Sequence, residues 1–113
     1  MDETQTLEDI SEFLKLKGLV IQKQQKSNSY FDLVAKNPKT NQQFFIELKT
    51  SHPILTSSMF RLSQFVKDTN KKGIVISPGG TSLNARVLAE KNKIKIVKSL
   101  DDFKKINFEL KNE

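Results

Sequence analysis

The sequence predicts an α/β fold, a mixed central sheet flanked by helices in the order αβββαβαβ(α). Three observations carry this. Apolar residues recur at helical spacing between residues 6 and 17. FFIELKT alternates with the period of two that a strand requires. GIVIS is a continuous apolar run followed by a helix pattern and then by a second short run, IKIV.

The elements follow in order. Leu7, Ile10, Phe13 and Leu14 keep the i, i+3, i+4, i+7 spacing of a one-faced helix, and Gly18 supplies its stop. Thr6 is the expected cap, with acids in the first turn favoured by the helix dipole. GLVIQKQQ reads as a strand, KSNS as a polar turn, and residues 30 to 36 as a second strand. NPKTNQ is a hairpin turn, and residues 43 to 50 return as a third strand. SHPILTSS reads as a loop, because Pro53 breaks both helix and central strand. A helix is expected from about Ser58 to Thr69, with Met59, Leu62, Phe65 and Val66 inward. GIVIS has the pattern of a strand buried on both faces. PGG turns the chain, Thr81 or Ser82 caps a helix through Lys91, and IKIV closes a strand–helix–strand unit that should pair in parallel. LDDFKKINFEL is a final helical stretch.

Length and composition narrow the classes. A chain of 113 residues fits one compact domain with one core, and no internal repeat or domain boundary is visible. No apolar run approaches the ~20 residues that cross a bilayer. The N-terminus, MDETQTLEDI, is acidic, unlike the basic start of a signal peptide. There is no cysteine, which excludes disulfides, thiolate metal sites and a cysteine nucleophile. These features give the expectation of a cytoplasmic (intracellular) protein with no membrane segment.

Charge is unevenly distributed. Five acids precede the first base, Lys15, and the remainder holds 19 bases against 8 acids, a net of +11. Such a body suits a polyanion, since each neutralised phosphate releases counterions, although lysines also serve solubility. All the bases but Arg61 and Arg86 are lysine, a point charge suited to phosphate, whereas arginine is the usual reader of guanine edges. Backbone and shape are therefore better targets than base sequence.

The third strand carries charge where a strand should be apolar. Phe44, Ile46, Leu48 and Thr50 share one face, which must be the core side. Phe45, Glu47 and Lys49 share the other. In YFDLVAK, Asp32 shares a face with Tyr30 and Val34. If the two strands pair antiparallel through the NPKT turn, Asp32 lies beside Glu47. Two close carboxylates repel unless one is protonated or a cation sits between them. A hard divalent cation such as Mg²⁺ prefers oxygen ligands, and Lys49 would then reach its water or a substrate phosphate. Glu-x-Lys alone is common and also fits a solvated cross-strand pair. Its context, an acid on the preceding strand and apolar strands on either side, raises its value.

The pieces FDLVAK, FFIELKT, SSMFRLSQFVKDT and GIVISPGGTSLNARVLAEKNKIKIV, in that order, resemble the PD-(D/E)xK nuclease superfamily. It includes restriction endonucleases and archaeal Holliday junction resolvases, and the last piece looks most like the Mrr-type branch. The resemblance covers roughly residues 7 to 98. The proline that names the motif is absent, since Phe31 precedes Asp32. The resemblance implies a restriction-endonuclease-like fold for residues 1–113 and a metal-dependent DNA endonuclease, structure-selective or weakly sequence-specific, working as a homodimer. It implies Mg²⁺, or Mn²⁺ in its place, held by Asp32, Glu47 and the Leu48 carbonyl. Glu8 or Glu12 is the candidate further ligand, and Lys49 orients water or offsets developing charge. Lys26, Ser29, Arg61 and Gln64 are the expected nucleic-acid contacts. The alternative is a nucleic-acid-binding module that keeps the fold without catalysis.

Other residues weigh less. His52 is the sole histidine and precedes Pro53 in a loop, so it reads as surface. Tyr30 reads as a packed strand aromatic. Gly79-Gly80 before a helix can bind phosphate but more often makes a tight turn. Ser27, Asn28 and Ser29 form a polar loop before the Asp32 strand.

Overall fold

The computed structural model describes residues 3–24, 31–49, 56–67 and 71–108. Their elements run α1 (Glu3–Leu16), β1 (Val20–Gln24), β2 (Leu33–Lys36), β3 (Gln43–Leu48), α2 (Thr56–Phe65), β4 (Lys71–Ile76), α3 (Leu83–Lys91), β5 (Lys95–Val97) and α4 (Leu100–Lys104). This is an α/β fold whose five strands lie in the order β1-β2-β3-β4-β5. β1, β2 and β3 pair antiparallel, whereas β3, β4 and β5 pair in parallel. The sheet is thus mixed, as expected, and β3 is the strand where its two halves meet. Among the described residues no helix is long and apolar enough to cross a membrane.

Length suggested one core, but the sheet divides it in two. Leu7, Ile10 and Leu14 of α1 and Phe103 of α4 cover one face, against Leu33, Ala35, Phe44, Ile46, Leu48, Ile74 and Ile76. Phe44, Phe103 and Phe108 pack edge to face there, with ring centroids 5.1 and 5.6 Å apart. Met59 and Leu62 of α2 and Ala85 and Ala89 of α3 cover the other face with Phe31, Val75 and Ile94. The expected assignment of Phe44, Ile46 and Leu48 to a core face holds, and all three are buried. The opposite face, which carries Phe45, Glu47 and Lys49, is roofed as well, so those charges are half-buried.

Some boundaries move. α1 begins at Glu3, so Thr6 is a buried residue inside the helix and not its cap. Its end follows the reading of Gly18. Leu19 N–H bonds to Leu14 O and Gly18 N–H to Lys15 O, each at 3.0 Å, with Gly18 at φ 91°. That is the helix stop in which a left-handed glycine lets the chain fold back over its last carbonyls. α2 begins at Thr56, two residues before the expected Ser58, and ends at Phe65, short of the expected Thr69. The final helix is short and ends at Lys104. Ser82, of the two candidates, caps α3, its hydroxyl accepting from Ala85 N–H at 3.2 Å.

The hairpin turn determines what comes next. Asn37 is fully buried, and its Oδ1 accepts from the N–H groups of Lys39 and Thr40 at 2.9 and 3.4 Å. Asn37 N–H bonds to Gln42 O, and Asn41 takes the left-handed conformation (φ 64°) that asparagine tolerates. This closure sets Lys36 against Gln43 and Leu33 against Ile46. A slip of one residue would turn every side chain of β2 to the wrong face.

Candidate functional site

The paired register of β2 and β3 ends with Leu33 opposite Ile46. Asp32 N–H also bonds to Ile46 O, at 3.0 Å, so the chain leaves the regular ladder at Asp32, just before β2 begins. The Asp32 carboxylate then reaches across the gap, its Oδ2 accepting the Leu48 N–H at 2.7 Å. On the far side of β3, Lys49 N–H bonds to Ile76 O at 2.9 Å, anchoring the lysine to β4. Asp32, Glu47 and Lys49 therefore gather at the carboxyl ends of β3 and β4, the end at which open α/β sheets bind ligands.

The two carboxyls sit in an unfavourable field. Burial, then the Asp32 charge, push Glu47 up from its ordinary 4.5 to about 8, while Lys49 and Arg61 pull it back. Burial also raises Asp32, against the Leu48 N–H bond and the Lys49 charge, which lower it. Glu3, at the start of α1, raises both. Mutual repulsion and desolvation of this kind are what a divalent cation between two carboxylates relieves. The two half-buried carboxylates offer oxygen donors only, the kind a hard cation takes.

The other expected contributors divide. Glu8 and Glu12 are exposed on α1, and Glu12 pairs with Lys15 at 3.8 Å. The α1 acid whose charge acts on the pair is Glu3, which the sequence reading did not weigh. Its signal was present in the acidic stretch MDETQTLEDI, but a helix begun at Thr6 leaves Glu3 outside it. Among the described residues no group of three or more acids and histidines is close enough to hold a metal. The site is thus a carboxylate pair with a third negative charge at a distance. Arg61 is exposed on α2, yet its charge reaches Glu47, and Gln64 is exposed on the same helix. Lys26, Ser27, Asn28, Ser29, Tyr30, Thr50, His52 and Pro53 lie outside the described residues.

Gly79-Gly80 is a turn held by its own hydrogen bonds. Ser77 Oγ donates to Gly80 O at 2.6 Å, Gly80 N–H returns to Ser77 O at 2.9 Å, and Gly80 sits at φ 90°. Ser82 already satisfies an N–H of the α3 first turn.

Compared with protein-family models, with curated proteins and with solved structures, the chain matches none.

Proposed function

We propose that this chain is a metal-dependent DNA endonuclease with a restriction-endonuclease-like fold, acting as a homodimer on branched or weakly specified DNA. The observation that carries the reading is the carboxylate pair: Asp32 is bonded to the Leu48 N–H, its charge acts on Glu47, both are half-buried and raised in pKa, and Lys49 lies two residues past Glu47. Asp32 and Glu47 hold the metal, with the Leu48 carbonyl beside them. A bound Mg²⁺ or Mn²⁺ supplies Lewis acidity at the phosphate and makes a bound water more acidic. The chain's own residues do the rest. The Leu48 N–H fixes the Asp32 carboxylate through Oδ2. Lys49 offsets charge that develops on the phosphate, an interaction stronger in the transition state than before it. The lysine-rich body attracts the DNA backbone without reading bases.

The test is incubation of the protein with supercoiled plasmid and a synthetic four-way junction, with Mg²⁺, Mn²⁺ or EDTA. Cleavage with either metal, lost in EDTA, is expected. Wild-type protein that binds DNA and cuts neither substrate with either metal would move the reading to the non-catalytic binding module.

A further inference from the structure

The opposite end of the sheet holds a groove of about 780 Å³ where seven of the fourteen lining residues are lysine and none is acidic. Lys71 and Lys72 come from the start of β4, Lys91 and Lys93 from the end of α3, Lys95 from β5 and Lys105 from just past α4. Lys67, following α2, completes the set. No ion pair joins any of them to another described residue. The apolar residues that line it are the half-buried Ile106 and, buried beneath the surface, Phe44, Val66 and Ile74. Like charges brought this close raise the folding free energy, so the cluster is costly in the free chain.

Two features bear on what the groove fits. A second cavity of about 350 Å³ shares Lys95, Ile106 and Lys105 with the first and carries the basic lining on to Lys98, with Asp102 its one acid. The lysines therefore continue from one cavity into the next past the edge strand β5. Lysines that only guarded the β5 edge from pairing with another chain would sit on β5 itself. Lys67, Lys71 and Lys72 do not.

We infer that this groove binds a single nucleic-acid strand, with its phosphates on the lysine rim. A basic groove that tracks the backbone is how sequence-tolerant single-strand sites hold their phosphates. The choice of nucleic acid among polyanions rests on the proposed function; the groove itself does not. From Phe44, in its lining, to Lys49 is five residues of β3, roughly 16 Å at ~3.3 Å per residue. The groove therefore holds a segment away from the carboxylate pair and leaves that pair free for another.

The experiment is fluorescence anisotropy with a labelled twelve-nucleotide oligothymidylate across a salt series. Three proteins are compared with wild type: Lys72→Gln/Lys91→Gln/Lys95→Gln in the groove, Lys15→Gln/Lys17→Gln/Lys39→Gln elsewhere with the same loss of charge, and Glu47→Gln. Melting curves check that each is folded. The groove variant should bind about tenfold or more weaker at low salt and flatten the slope of log affinity against log salt by about 2, roughly 0.7 per lost contact. The other two should bind like wild type. Equal losses in both triple variants would mean net charge alone and overturn the site. So would wild-type affinity in the groove variant, or no binding by wild type. Loss of binding in Glu47→Gln would move the strand to the acidic end. Competition by inorganic tripolyphosphate as strong as by unlabelled oligonucleotide, at equal phosphate, would overturn the strand and leave a compact polyphosphate. Cleavage is read separately, so an inactive protein that binds through the groove sinks the nuclease reading and not this one.

Discussion

At one end of β3, the bond from Leu48 N–H holds the Asp32 carboxylate next to Glu47, on which its charge acts. At the other end, lysines converge from α2, β4, α3, β5 and α4, each from a separate segment. The acidic end depends on a few bonds and on burial, which shifts its carboxyls. The basic end has many interchangeable charges, and none of its lysines is ion-paired to another described residue. Precise chemistry and diffuse attraction thus occupy opposite ends of one sheet. A single substitution should abolish the first, while the second should fade gradually.

The largest contrast is expected in Glu47→Gln. It keeps the shape of the side chain and removes a charge that, on the proposed function, would hold the metal, so metal-dependent cleavage should fall by about a thousandfold or more. Removal of one preorganised group at a reacting centre costs on that order. Plasmid nicking assays check it, with melting curves to show that the fold persists. Residual cleavage near wild type would place the active site elsewhere.

Next is Phe44→Ala. Phe44 is buried between α4 and the sheet and also lines the lysine groove. Its loss should cost about 3–5 kcal/mol. Urea unfolding measures this, and a cost under 1 kcal/mol would show that the face is not packed as described.

Asn37→Ala removes the oxygen that closes the hairpin turn through Lys39 and Thr40. A cost of about 1–3 kcal/mol is expected for buried groups left unpaired. Because the turn sets the register that brings Asp32 to Glu47, cleavage should fall even where the variant is fully folded. Oligonucleotide binding, if it lies in the groove, should not change.

A smaller effect concerns pH. The folded chain holds the Glu47 proton up to about 8, whereas the unfolded chain releases it near 4.5. The folded state therefore loses stability as pH rises between those values, fully above the upper one and not at all below the lower. Asp32 acts in the same direction. Denaturant midpoints in EDTA should decline from pH 5 to 8 in wild type and decline less in Glu47→Gln. Equal slopes would show that Glu47 is not held in a desolvated, repulsive place.

The smallest effect is Lys104→Ala. The sequence offers it no role, but its Nζ lies 5.7 Å from the centroid of the Phe13 ring. About 0.5–1 kcal/mol is expected from that contact, with cleavage unchanged.

The element order was legible because periodicity reports burial directly. The alternation in FFIELKT and the unbroken run GIVIS record which faces are dry, and the structure buries Phe44, Ile46 and Leu48 as that alternation requires. Gly18 and Ser82 were legible as helix ends because a left-handed turn and an unpaired N–H each call for a particular residue type. The juxtaposition of Asp32 and Glu47 could be reasoned from the sequence only on the condition that the two strands paired through NPKTNQ, and that condition is a matter of tertiary structure. The role of Glu3 was not legible, since a charge acts through space and the start of α1 shifts by three residues. The lysine groove was visible only as a net charge. Lys67, Lys72, Lys91, Lys95 and Lys105 are scattered along the chain, and only the folded sheet brings them to one edge. Periodicity along a chain encodes which side of an element is buried. What lies across the gap from that side is decided by how the elements pack.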